Sequence, residues 1–148
     1  MDGLEALLAN HALLSALSGW VVAQALKVIL TFLTYKRWDF SRMFGSGGMP
    51  SSHSAFICAL ATSIGISRGF QSAEFAIAVA LALIVMYDAA GVRRSAGKQA
   101  AAINRIIQDM MKRGSGLTQV NLKELIGHTP FEVLVGALLG IFLGILIT

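Results

Sequence analysis

The sequence predicts an all-α integral membrane protein: a bundle of about four transmembrane helices with an amphipathic helix on the cytoplasmic side. Three observations carry this. Hydrophobic residues make up 55% of the chain and charged residues only 14%, with a mean hydropathy of +0.69, whereas soluble domains carry about 25% charged residues. The apolar residues gather into four long segments. Most of the basic residues gather into two of the loops between them. At 148 residues the chain is one domain.

The first span is placed at residues 12–35, inside an apolar stretch that starts near residue 4 and is interrupted by Asn10-His11, Gln24 and Lys27. That stretch is long enough to cross a bilayer with a surface-lying lead-in. The second span is placed at 51–67, the third at 75–93 and the fourth at 130–148. A spanning helix needs about 20 residues and has a lower limit near 17, so these three are short spans that must pack tightly. Gly136, Gly140 and Gly144 recur every four residues along the last one. Such a stripe favours close helix packing, within the chain or between copies. Between the third and fourth spans, Ala100, Ile103, Ile107 and Met110 recur at helical spacing, while Arg105, Gln108, Asp109 and Lys112 take much of the other face. This predicts an amphipathic helix over about 95–113, continuing from the third span or lying on the lipid surface. Gly114-Ser115-Gly116 ends it.

Charge sets the orientation. Ten of the twelve basic residues fall in two loops, 36–49 and 93–128. The connection between the second and third spans carries only Arg68. By the positive-inside rule both basic loops are cytoplasmic and both termini face outward. The acidic start, Met1-Asp2-Gly3-Leu4-Glu5, predicts no cleavable signal peptide. Cys58 lies alone in an apolar run, which predicts a buried spectator.

Three polar clusters occupy the cytoplasmic ends of these spans. The first is Pro50-Ser51-Ser52-His53, with Arg42 shortly before it; the second runs from Asp88 to Arg93 and Arg94; the third runs from Gly127-His128 to Glu132. Serines after a proline suit the first turn of a helix, where unpaired N–H groups and the helix dipole attract phosphate. A histidine in that turn can hand a proton to a leaving group. Each cluster also has a plainer reading. His53 could simply cap a helix, Arg93 and Arg94 could anchor to lipid headgroups, and Thr129-x-x-Glu132 with Pro130 is a capping box. His128 and Glu132 are also four apart, so a helix beginning one turn earlier would put them on one face. Asp88 requires a partner, for which Arg93, Lys27 and His53 are the candidates.

The motif Pro50-Ser51-Ser52-His53 resembles the Pro-Ser-Gly-His signature of the type-2 phosphatidic acid phosphatases, which share their fold with vanadium-dependent haloperoxidases. The chain is more similar still to the divergent, short branch of that superfamily found in bacteria and plastids. Three segments carry the likeness: Ser46-Gly47-Gly48-Met49-Pro50-Ser51-Ser52-His53-Ser54-Ala55, Ile84-Val85-Met86-Tyr87-Asp88-Ala89-Ala90-Gly91-Val92-Arg93-Arg94, and Leu122-Lys123-Glu124-Leu125-Ile126-Gly127-His128-Thr129-Pro130-Phe131-Glu132. The resemblance implies a lipid or polyprenyl phosphatase of a bacterial inner membrane or a plastid membrane. It implies His128 as nucleophile, Glu132 as its orienter and His53 as general acid and then base. Ser51, Ser52, Arg93, Arg94 and a basic residue of the first motif would hold the phosphoryl oxygens, with Asp88 in support. No cofactor, metal or nucleic acid is implied.

The departures from the pattern are specific. No proline follows Lys36 or Arg42 where the first motif requires one, and Lys27 is the alternative. Ser52 stands in place of glycine and Glu132 in place of aspartate. Arg94 and His128 are 34 positions apart rather than six. The leading expectation is therefore a membrane phosphatase, a homodimer because four helices enclose little volume. The competing one is a non-catalytic membrane protein that binds, flips or senses a lipid phosphate.

Overall fold

The computed structural model describes residues 3–38, 48–112, 122 and 127–148; among these every regular element is helical. A short helix, α1 (Gly3–Leu8), leads into α2 (His11–Tyr35), whose start is capped by Asn10 Oδ1 accepting from Leu13 N at 3.1 Å. α2 stops where Lys36 turns left-handed (φ 55°), its N–H closing on Phe32 O. Then come α3 (Ser52–Arg68), capped by Ser51 and closed by Gly69, and α4 (Ala73–Tyr87), capped by Ser72. α4 does not end at the third apolar segment's boundary. It passes through a five-residue π-helical turn, Asp88–Val92, straight into α5 (Arg93–Lys112), so α4, the turn and α5 form one helical run of 40 residues. The last helix is α6 (Pro130–Ile147). Arg113 and Gly114-Ser115-Gly116, expected to end α5, lie outside the described residues, as does Arg42.

Among the described residues, three helical runs are long and apolar enough to cross a membrane: His11–Tyr35, Ala73–Lys112 and Pro130–Ile147. α3, at 17 residues, is the hub against which α2, α4 and α6 pack. Close approach there depends on small side chains. Ala16, Ala23, Ala55 and Ala59 are fully buried, and a methyl on Gly19 would stand 2.7 Å from Ala55 O. The glycine stripe of α6 is spent on the same helix. A Cβ at Gly136 would collide with Ser51 O, one at Gly140 with Ala55 O, and one at Gly144 with Thr62. Of the two uses the stripe allowed, packing within the chain is the one observed. The large apolar residues point outward instead: Ile77, Leu83 and Ile84 of α4, and Phe131, Leu138, Phe142 and Leu146 of α6, are all exposed. Small residues inside and large ones outside suit a bundle whose surroundings are as apolar as its own side chains.

One side-chain clamp brings the chain back from α5. Asn104, buried although α5 is largely exposed, donates from Nδ2 to Leu122 O and accepts at Oδ1 from Leu122 N, both at 2.9 Å. Asn104→Ala removes both hydrogen bonds to Leu122, whose backbone lies on an exposed residue that water can reach. It is expected to cost about 0.5–1.5 kcal/mol per bond, the net worth of an ordinary hydrogen bond, read as a lower melting temperature in detergent.

Candidate active site

The site forms where α3 and α6 begin and α4 passes into α5. Ser51 N donates to Glu132 O at 3.1 Å, which ties the starts of α3 and α6 together. The N–H groups of Ser52 and His53 precede the first intrahelical bond, Ala55 N to Ser51 O, so two helix N-termini present positive partial charge to one region. The π turn completes the frame. Its looser winding leaves Ala89 O to accept from His128 N at 3.1 Å. Gly127 packs on the backbone of Arg93 and Arg94 so closely that a Cβ would collide with Arg94 N. The 34 positions between Arg94 and His128 are therefore an excursion that returns to its start.

His128 is held at both ends of its environment. It is 2% exposed, and its Nδ1 lies 3.1 Å from Glu132 Oε2. An ionised carboxylate only accepts, so Nδ1 carries the proton and Nε2 keeps its lone pair. Nε2 is buried and has no hydrogen-bond partner among the described residues. The same Glu132 oxygen also accepts from Thr129 N at 3.0 Å, while Thr129 Oγ1 accepts from Glu132 N at 3.3 Å. The capping box and the contact to His128 thus coexist. The helix does not begin a turn earlier: its cap, Thr129, is extended (φ -73°, ψ 154°), and His128 lies before that cap and reaches Glu132 across it. Thr129→Ala should cost roughly 1 kcal/mol of stability as a lost cap, while leaving the His128–Glu132 contact in place; thermal unfolding checks the first and the retained pH behaviour of His128 the second.

Burial pushes the His128 imidazole below the ordinary histidine value of 6.5; the Glu132 hydrogen bond pulls the other way, and the Lys27 and Arg93 charges push it down further. The ring is accordingly neutral at pH 7. Unfolded chains bind this proton near pH 6.5 and the folded chain does so only at lower pH. Stability is therefore expected to fall as pH drops below 6.5, and any activity that needs the neutral ring should keep its acid limb below 6.5. Titration of the melting temperature in wild type and His128→Gln measures this contribution.

The other expected residues distribute as follows. The His53 side chain is exposed at the site's mouth, its ring centroid 6.4 Å from that of His128 at an interplanar angle of 65°. Lys27, 3% exposed in α2, donates from Nζ to Ser52 Oγ at 3.3 Å. Lys36 is exposed at the far cap of α2, so of the described candidates for the first motif it is Lys27 that reaches the site. Ser51 is fully buried, and its Oγ accepts from Ser54 N at 3.4 Å and from Ser54 Oγ at 3.0 Å. It caps α3, with its own O–H left to donate. Arg93 pairs with Asp88 through Nε at 2.7 Å, both groups half-exposed; of the three partners open to Asp88, this is the one used. Arg94 is half-buried behind Gly127. Gly127 and Ala89 lie within clusters that the sequence marks, but their backbone contacts were not legible, and neither was the hold of Asn104 on Leu122. A π turn has no sequence signature of its own.

A family model described as the divergent PAP2 family matches residues 8–143. The chain belongs to the divergent PAP2 family. It is 42% identical over 147 residues to an uncharacterized membrane protein of Bacillus subtilis, YuiD, with 93% of each chain covered. No solved structure gives a significant match. As a divergent PAP2 family member it is a membrane protein whose apolar helices lie in a lipid bilayer.

Proposed function

We propose that this divergent PAP2 family member hydrolyses the phosphate of a membrane lipid or polyprenyl phosphate, through a phosphohistidine at His128. The observation that carries the reading is the buried Nε2 of His128, without a hydrogen-bond partner among the described residues, on an imidazole whose other nitrogen is fixed by Glu132 and whose ring centroid lies 6.4 Å from that of His53. A phosphorus about 3 Å from Nε2 leaves its leaving oxygen within hydrogen-bond reach of His53. Nε2 forms the P–N bond as the P–O bond to the lipid breaks, and His53 delivers its proton to the departing alkoxide. His53 then takes a proton from water, the water oxygen attacks phosphorus, and the P–N bond breaks to return His128. Lys27, Ser52, the free N–H groups at the start of α3, and Arg93 released from Asp88 hold the three phosphoryl oxygens, with Ser51 and Arg94 behind them.

The reading includes the finer architecture. α3 is the second span and brings the number of spans to four: its 17 residues are about 25 Å long at 1.5 Å per residue, close to a thin hydrocarbon core. α5 runs on from the third span as the amphipathic cytoplasmic helix. In this reading the site faces the cytoplasmic leaflet, as the positive-inside rule expects of the basic loops, and the membrane is a bacterial inner membrane or a plastid membrane. A homodimer would enclose a site that one small bundle leaves open at His53.

One observation favours a second reading, a protein that binds, flips or senses a lipid phosphate without cleaving it: Arg93 is engaged by Asp88 rather than turned toward His128. Purified protein in detergent, offered phosphatidate, prenyl phosphate and prenyl pyrophosphate, separates the two. Released phosphate supports the hydrolase. Lipid-phosphate binding with no release across the panel supports the second reading.

A further inference from the structure

The bundle has a second polar recess, at the end where α2 and α4 begin and α3 ends. A cavity of about 680 Å³ opens there between the α1–α2 junction and the α3–α4 turn, within the size range of ligand pockets. Leu13, Leu60 and Ile64 form its apolar wall; His11, Arg68 and Glu74 give it ionisable groups. The turn that carries the two charged residues is well braced. Gly69 takes a left-handed φ of 91°, Ser72 N donates to Gly69 O at 3.1 Å, and Phe70 stacks edge-on against Phe75 with centroids 5.1 Å apart. Arg68 and Glu74 line one cavity, yet neither joins an ion pair or a side-chain hydrogen bond among the described residues. A guanidinium and a carboxylate that line one apolar-walled recess without pairing match a ligand that carries both charges itself.

We propose that this cavity holds the headgroup of a zwitterionic phospholipid with a primary amine, its phosphodiester on Arg68 and His11 and its ammonium on Glu74. Guanidinium suits phosphate oxygens, and a primary ammonium donates to a carboxylate. A trimethylammonium group has no such donors and is ordinarily held in an aromatic cage, and among the described residues no Phe, Tyr or Trp lines the recess. An anionic glycerol headgroup would satisfy Arg68 but would face Glu74 with no cation. Leu13, Leu60 and Ile64 take the first carbons below the glycerol. The site lies at the opposite end of α3 from His53 and does not depend on catalysis at His128.

The test uses the full chain in detergent, with phosphatidylethanolamine, phosphatidylcholine and phosphatidylglycerol offered in equal amounts and retained lipid read by native mass spectrometry. The ethanolamine lipid is expected to be retained roughly tenfold over the other two. Glu74→Gln should bring it down to the level of phosphatidylglycerol, and Arg68→Gln should lower retention of all three. Both residues are exposed, so an unchanged melting temperature in detergent serves as the folding control. Equal retention of the three lipids in the wild type, or an ethanolamine preference that survives Glu74→Gln, overturns the proposal.

Discussion

His128→Ala is expected to abolish phosphate release, by roughly 10³-fold or more, while lipid-phosphate binding stays within a few-fold of wild type. The rate loss follows from removing a nucleophile, which costs far more than removing an auxiliary group. The retained binding follows because Lys27 Nζ, Ser52 Oγ and the start of α3 do not depend on the imidazole. Folding should survive, since the bond from His128 N to Ala89 O belongs to the backbone; His128→Asn, closer in volume, guards against collapse of the vacated space. Glu132→Gln keeps the cap geometry but withdraws the carboxylate that fixes the proton on Nδ1. It should lower the rate while binding persists. An equal loss of binding and release in His128→Ala would mean that the histidine merely supports the seat, and the hydrolase reading would fail.

The second large effect is structural. Gly140→Val should prevent the bundle from assembling, with Gly140→Ala already costing about 1–3 kcal/mol, the range for overpacking a filled core. The Cβ of any residue at 140 collides with Ala55 O, a backbone atom of α3 that cannot swing aside. α6 must then shift from α3, and through the bond from Ser51 N to Glu132 O the shift reaches the site. The same substitution at Leu138, exposed on the opposite face of α6, should be nearly silent. Size-exclusion profiles and melting temperatures of the purified variants in detergent check both. A stable, monodisperse Gly140→Val protein would show that the stripe does not set the helix spacing.

Much of the fold could be read from the chain because bilayer-facing helices are written in composition. Runs of apolar residues with few charges locate α2, α4 and α6, and the four-residue glycine period marks the contact face of α6. The continuity of α4 with α5 was left open between two alternatives, since hydropathy falls at Arg93 whether or not the backbone keeps turning. The candidate site was legible as three polar clusters at one depth. What linked them was not, because each link is a backbone contact: Gly127 on Arg94, Ala89 O on His128 N, Ser51 N on Glu132 O. The competing roles of Glu132 could not be resolved along the chain either. One carboxylate oxygen serves both, which requires a folded cap and a buried ring at the same time.

The sequence by itself determined the class of molecule, the three long apolar helices and the family, since these depend on residue type and spacing alone. The tertiary structure alone decided that the glycine stripe closes on α3 within the chain, that Lys27 rather than Lys36 reaches Ser52, and that Arg93 answers Asp88. It alone brought Arg94 and His128 together across their 34-residue separation. Those outcomes turn on how closely backbones approach and on which side of a helix a long side chain lies, and both are fixed only when the helices pack.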